Sequence, residues 1–124
     1  MDMKTAVQTV LGKYATFSGR AARPEYWWWV LATLILFTVL ALVDGLVFAP
    51  MTGHESFSRQ AAQPLSSLAS LALLLPNLAV AVRRLHDTDR SGWWLLLSVI
   101  PIIGPLVLIF FLVQAGTEGA NRFG

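Results

Sequence analysis

Cysteine is absent from all 124 residues, which excludes disulfides, thiolate metal sites and thiol nucleophiles. Charge is scarce as well. Asp, Glu, Lys and Arg make up 13% of the chain, against about 25% in a typical soluble domain. Only two histidines are present, His54 and His86, and their separation gives no metal-ligand spacing. Three long stretches, residues 26–43, 65–82 and 93–113, contain no Asp, Glu, Lys, Arg or His at all. Neither an internal repeat nor a linker between domains is evident.

Apolar surface fills what these absences leave. Hydrophobic residues reach 56% and the mean hydropathy is +0.62. The three uncharged stretches have the length and composition of membrane spans. The expected fold class is therefore an all-α membrane protein, a single domain over residues 1–124. The first stretch begins too late in the chain, and runs too long, for a secretory signal, and it is read as a retained span. Pro24 and Glu25 suit its first helical turn. The cluster Tyr26, Trp27, Trp28 and Trp29 suits a membrane–water interface. Asp44 and Gly45 mark its far end, although residues 46–49 can extend it by a turn.

Before the first span, Met3, Ala6, Val7, Val10, Leu11 and Tyr14 fall on one helical face. Residues 3–15 are expected to form an amphipathic helix in the headgroup plane. A short helix packed on the protein's own loops is the alternative. Residues 50–64 are polar and turn-rich, an exposed loop. The second span contains Pro76 and Asn77, which predict a kink and an amide turned toward protein rather than lipid. The third stretch is interrupted by Pro101-Ile102-Ile103-Gly104-Pro105. It is either one Pro-kinked span or a re-entrant hairpin. The kinked span is preferred, because non-helical backbone at membrane depth needs a protein or water lining.

Of nine basic residues, seven (Lys4, Lys13, Arg20, Arg23, Arg83, Arg84 and Arg90) fall before span one or between spans two and three. The positive-inside rule places the N-terminus and the 83–92 loop in the cytoplasm. Both readings of the third stretch satisfy it, one with the tail outside and one with it inside.

The charge is concentrated in two motifs. Phe17-Ser18-Gly19-Arg20-Ala21-Ala22-Arg23-Pro24-Glu25-Tyr26-Trp27 precedes and opens span one. Arg83-Arg84-Leu85-His86-Asp87-Thr88-Asp89-Arg90-Ser91-Gly92-Trp93 separates spans two and three. Together with the tail Asn121-Arg122-Phe123-Gly124, they resemble in order the motifs of a bacterial inner-membrane family, domain of unknown function 805. The resemblance covers nearly the whole chain. Pro24 departs mildly from it, standing where a basic residue is common, and the chain stops where relatives often continue. The resemblance implies a small multi-span inner-membrane protein and supplies no activity, cofactor or catalytic residue.

Phe17, Gly19, Arg20, Arg23, Glu25, Tyr26, Trp27, Arg83, Arg84, His86, Asp87, Asp89, Arg90, Ser91, Gly92 and Trp93 form the candidate site, with Asn121, Arg122, Phe123 and Gly124 as a tail motif. A structural network is expected first, because arginine pairs with carboxylates in two-pronged geometry. In it Asp87 or Asp89 shapes the turn and Ser91 caps span three. A lipid-interface role competes, since basic residues at the cytoplasmic surface attract anionic headgroups. An acid–base role for His86-Asp87 is disfavoured, because adjacent residues do not face each other and no nucleophile stands nearby. No cofactor, nucleic-acid partner or catalytic constellation is expected. The functional expectation is an interaction or assembly protein, its partners being the bilayer, anionic headgroups, itself or other membrane proteins. The alternative is a subunit of an oligomeric transporter or channel.

Overall fold

The computed structural model describes residues 2–53 and 64–124. Most of the expected 50–64 loop, with His54 and Arg59, lies outside the described residues. All regular structure among the described residues is helical. The chain divides into two compact units, one of Met1–Trp29 with Leu75–Gly124 and one of Val30–Leu74.

Helix α1, Met3–Gly12, starts because the Asp2 carboxylate accepts from the Thr5 N–H at 2.8 Å, an N-cap that satisfies one orphan donor of the first turn. Its apolar stripe is split in use. Ala6 and Val10 are buried within the unit, while Leu11 and Tyr14 stay exposed.

Helix α2 runs Arg23–Met51, 29 residues, and spans about 43 Å. That exceeds a hydrocarbon core of about 30 Å. It continues past Asp44 through a π-helical turn, Asp44–Phe48. Asp44 does not end the helix, which takes the extension through residues 46–49 that the sequence left open and runs on to Met51. Its carboxylate accepts from the Leu65 and Ser66 N–H groups at 3.2 and 2.9 Å and so caps helix α3, Pro64–Ala72.

Helix α4, Leu74–Asp87, follows after a break and bend at Leu73. The break falls one turn before Pro76, and the reason is local. A proline ring clashes with the carbonyl four residues back, here Ala72, while the proline itself sits in the first turn of α4, where its missing N–H costs nothing. Asn77 faces protein, its Oδ1 accepting from Trp29 Nε1 at 2.7 Å. By length and composition α2 is able to cross a membrane, and α3 with α4 is a second candidate if the broken pair counts as one span.

The third apolar stretch is not one helix. A 3₁₀ segment, Gly92–Val99, and helix α5, Ile103–Val113, fold back on each other. Pro101 holds Ile100 extended. Ile102 adopts φ 68°, ψ −62°, and the Ile103 N–H donates to the Pro101 carbonyl at 2.7 Å. This is a γ-turn of the rare left-handed-φ kind, strained for a β-branched residue. A Cβ on Gly104 would overlap the Leu97 carbonyl, so the two arms meet at the turn only because a glycine stands there. At the open end Trp94 packs edge-on against Phe111, ring centroids 5.5 Å apart.

Candidate functional site

The two charged motifs and the tail meet at the C-terminal end of α4. Asp87 is the hub. One carboxylate oxygen accepts from Arg20 (2.8 Å to Nη2, 2.9 Å to Nε) and the other from Arg84 Nη1 at 2.6 Å. Beside it Arg83 pairs with Glu25 at 2.5 Å. The Arg83 and Arg84 side chains are fully buried and Glu25 is 5% exposed. Buried ions are costly unless paired and hydrogen-bonded, and backbone carbonyls supply the remaining acceptors. Arg83 Nε donates to Thr16 O at 3.2 Å, and Arg84 Nη1 donates to Ala21 O at 3.1 Å. The Ala21 N–H returns a bond to Arg83 O at 2.9 Å. Among the described residues Arg83 Nη2 finds no partner, although it is buried.

The C-terminus of α5 docks on the same cluster. The last carbonyls of a helix have no intrahelical partner, and the negative end of its dipole favours cations. Leu112 O accepts from both Arg84 Nε (3.0 Å) and Trp27 Nε1 (3.1 Å). Val113 O accepts from Arg23 at 3.4 Å, and Gln114 O from Arg84 Nη2.

The tail closes over the hub. Arg20 donates to Thr117 O and Gly119 O at 2.5 Å each, and to Gly124 O at 3.2 Å. The Thr117 N–H donates to Asp87 O at 2.7 Å. A Cβ on Gly116 would run into the Asp87 carboxylate. Asn121 donates to His86 O at 2.8 Å, and Phe123 stacks on the His86 ring with centroids 3.9 Å apart. His86 Nδ1 faces Gly19 O at 2.9 Å, so that nitrogen carries the proton. Asp89 takes φ 60° in the turn and accepts from Arg122 Nε at 3.2 Å. Arg122, through its side chain first and then its backbone N–H, holds the Asp89 carboxyl below its ordinary value of 3.8.

The remaining candidates sit at the rim. Arg90 lies over the Phe111 ring, 4.1 Å from its centroid. Ser91 Oγ accepts from the Trp93 N–H at 3.3 Å and caps the 3₁₀ segment. Gly92 abuts Val82 so closely that a Cβ would stand 2.8 Å from its methyl carbon. Tyr26 packs edge-on against Trp27. Phe17, Val82, His86, Ser91, Gly92 and Trp93 line an open cavity of 430 Å³. Among the described residues no group of three His, Asp or Glu side chains has the arrangement of a metal site.

Sequence reasoning missed the backbone half of this cluster. The carbonyls of Thr16, Ala21, Leu112, Gln114, Thr117 and Gly119 carry no side-chain signature. Only Gly116, in a glycine-rich tail, hinted at a close approach.

The family described as "Protein of unknown function (DUF805)" matches residues 14–124. The inner membrane protein YhaH of Escherichia coli is 46% identical over 115 residues, covering 93% of this chain and 89% of the relative. The inner membrane protein YhaI of the same organism is 43% identical over 116 residues, covering 94% and 89%. The uncharacterized protein YiiR, also from Escherichia coli, is 26% identical over 134 aligned positions, covering 88% and 84%. No solved structure gives a significant match. A helical chain with these apolar helices and these relatives is a membrane protein, and it belongs to the DUF805 family.

Proposed function

We propose that this protein is a non-enzymatic assembly or interaction component of the bacterial inner membrane, with its arginine-rich cluster on the cytoplasmic face. One observation carries the reading: Arg20, Arg84 and Asp87 are engaged with one another and with backbone carbonyls. Side chains held in this way fix the shape of a surface and are poorly placed to turn over a substrate. The side favoured by the positive-inside rule gives the orientation. Outward-facing apolar side chains on α2, such as Leu34, Val39 and Leu46, offer helix surface to lipid or to neighbouring membrane proteins, including a second copy. Anionic headgroups suit the more exposed Arg23 and Arg122 at the rim.

Native mass spectrometry of the protein released gently from its own membrane tests this reading. A co-purifying membrane protein that is lost in Asp87→Ala but kept in the rim variant Arg122→Ala supports it. Survival of every complex in both variants counts against it.

A second reading, a subunit of an oligomeric transporter or channel, draws on the break at Leu73 and the folded-back stretch over 92–113. Interrupted helices recur at transport sites. Solute flux in liposomes of the pure protein, above that of empty vesicles, would favour it.

A further inference from the structure

We propose that residues 92–113 are a half-depth hairpin seated in the acyl chains of one leaflet, the leaflet bordering the charged cluster. The chain then leaves the membrane on the face where the stretch began, and the third stretch does not cross.

Length is the first support. Eight residues of 3₁₀ helix rise about 16 Å, and eleven of α-helix also rise about 16 Å. Each arm reaches about half of a 30 Å hydrocarbon core. The second support is the anchoring of both ends. The stretch departs next to Arg90, whose guanidinium lies over Phe111. It returns to Arg84, Arg23 and Trp27, which bind the carbonyls of residues 112–114. In one kinked span Trp94 and Phe111 would stand about 25 Å apart, whereas their rings are 5.5 Å apart.

The surface is graded as a one-leaflet insertion requires. Trp93, 78% exposed at the base, is a ring suited to the headgroup level. At the turn Val99 and Ile102 are 77% and 76% exposed, aliphatic side chains suited to mid-bilayer. Unpaired backbone polar groups are costly in hydrocarbon, and the turn limits them. Pro101 has no N–H, and the Ile100, Ile103 and Gly104 N–H groups donate to Leu97, Pro101 and Ile100 carbonyls.

The absence of cysteine makes the test direct, because any introduced cysteine reports alone. Lys4→Cys and Glu118→Cys, each in the full chain, are exposed to a membrane-impermeant maleimide in sealed vesicles of both orientations. Labelling of both from the same face is expected. Labelling from opposite faces overturns the proposal. Spin labels on Ile102→Cys and Val99→Cys then report depth, the second leaving the γ-turn intact. Loss of relaxation by a water-soluble nickel complex, with retained relaxation by oxygen, is expected at both positions. Relaxation by nickel there places the turn in water and overturns the acyl-chain partner, even where the tail lies on the expected face.

Discussion

The two units of this chain use polar groups in opposite ways. In Val30–Leu74 the hydroxyls of Thr33, Thr38 and Ser70 bond within their own helix, to the Val30, Leu34 and Ser66 carbonyls. Asp44 reaches further, 21 and 22 residues, to cap α3. In the other unit, many polar contacts join residues 28 to 104 positions apart, from Arg84 with Leu112 to Arg20 with the tail. Local bonds satisfy a helix and leave its neighbours undetermined. Distant bonds between buried ions specify which segments meet. One unit therefore presents apolar surface, and the other holds the chain in a defined arrangement.

The largest expected effect breaks the long-range unit. Arg84→Ala leaves Asp87 and the Leu112 and Gln114 carbonyls short of their cation, and breaking such a buried pair costs about 3–5 kcal/mol. Thermal unfolding in detergent should show a large fall, with the tail becoming sensitive to protease. Thr38→Val, in the locally bonded unit, should shift stability by less than about 0.5 kcal/mol. Equal losses in the two variants would erase the contrast.

A smaller effect is expected from Gly116→Ala, which adds one methyl against the Asp87 carboxylate. Overpacking of this kind costs about 1–3 kcal/mol. Gly12→Ala has open space and a helical setting, and should stabilise by about 0.5–1 kcal/mol. Opposite signs in paired melting curves are the readout.

Asp44→Ala tests the distant contact described in the second unit. Loss of the cap acceptor in this alanine variant should cost about 1 kcal/mol, read as earlier hydrogen exchange at Leu65 and Ser66 with the tail unaffected. Simultaneous loosening of the tail would show that the division between units is wrong.

The smallest effect is at the rim. Asp89 is held below its ordinary value by Arg122, so the contribution of the pair is present above about pH 3.8. It is lost as pH falls through the lower value of the folded protein. Exposure of 65% and 44% for the two side chains keeps it small. Protease sensitivity of the tail should rise only in that acid range, and Asp89→Asn should remove the pH dependence.

Much of the helical content was legible in the sequence, because uncharged stretches and interfacial aromatics are read directly from composition. So was the membership of the charged cluster, since Arg20, Glu25, Arg83, Arg84 and Asp87 stand out against an apolar background. The path of 93–113 was not. A proline–glycine interruption is compatible with a kink or a reversal, and the choice is made by carbonyls at 112–114 that every residue carries alike. The position of the break before Pro76 was misplaced by one turn for a related reason. The clash acts on the carbonyl four residues earlier, and the proline itself is accommodated. Asp44 resembled a helix terminator because its partners, the Leu65 and Ser66 N–H groups, are backbone.

The span of the Arg20 contacts also sets an order of events during synthesis. Arg20 is made early, yet its acceptors at Thr117, Gly119 and Gly124 are 97 to 104 residues later. Until residues 117–124 emerge, the guanidinium of Arg20 lacks its carbonyl cage and has the Asp87 carboxylate as its protein partner. Closure of the cluster therefore waits on the residues from 117 onward, and a nascent chain stopped before them would already hold every apolar stretch but lack the latch.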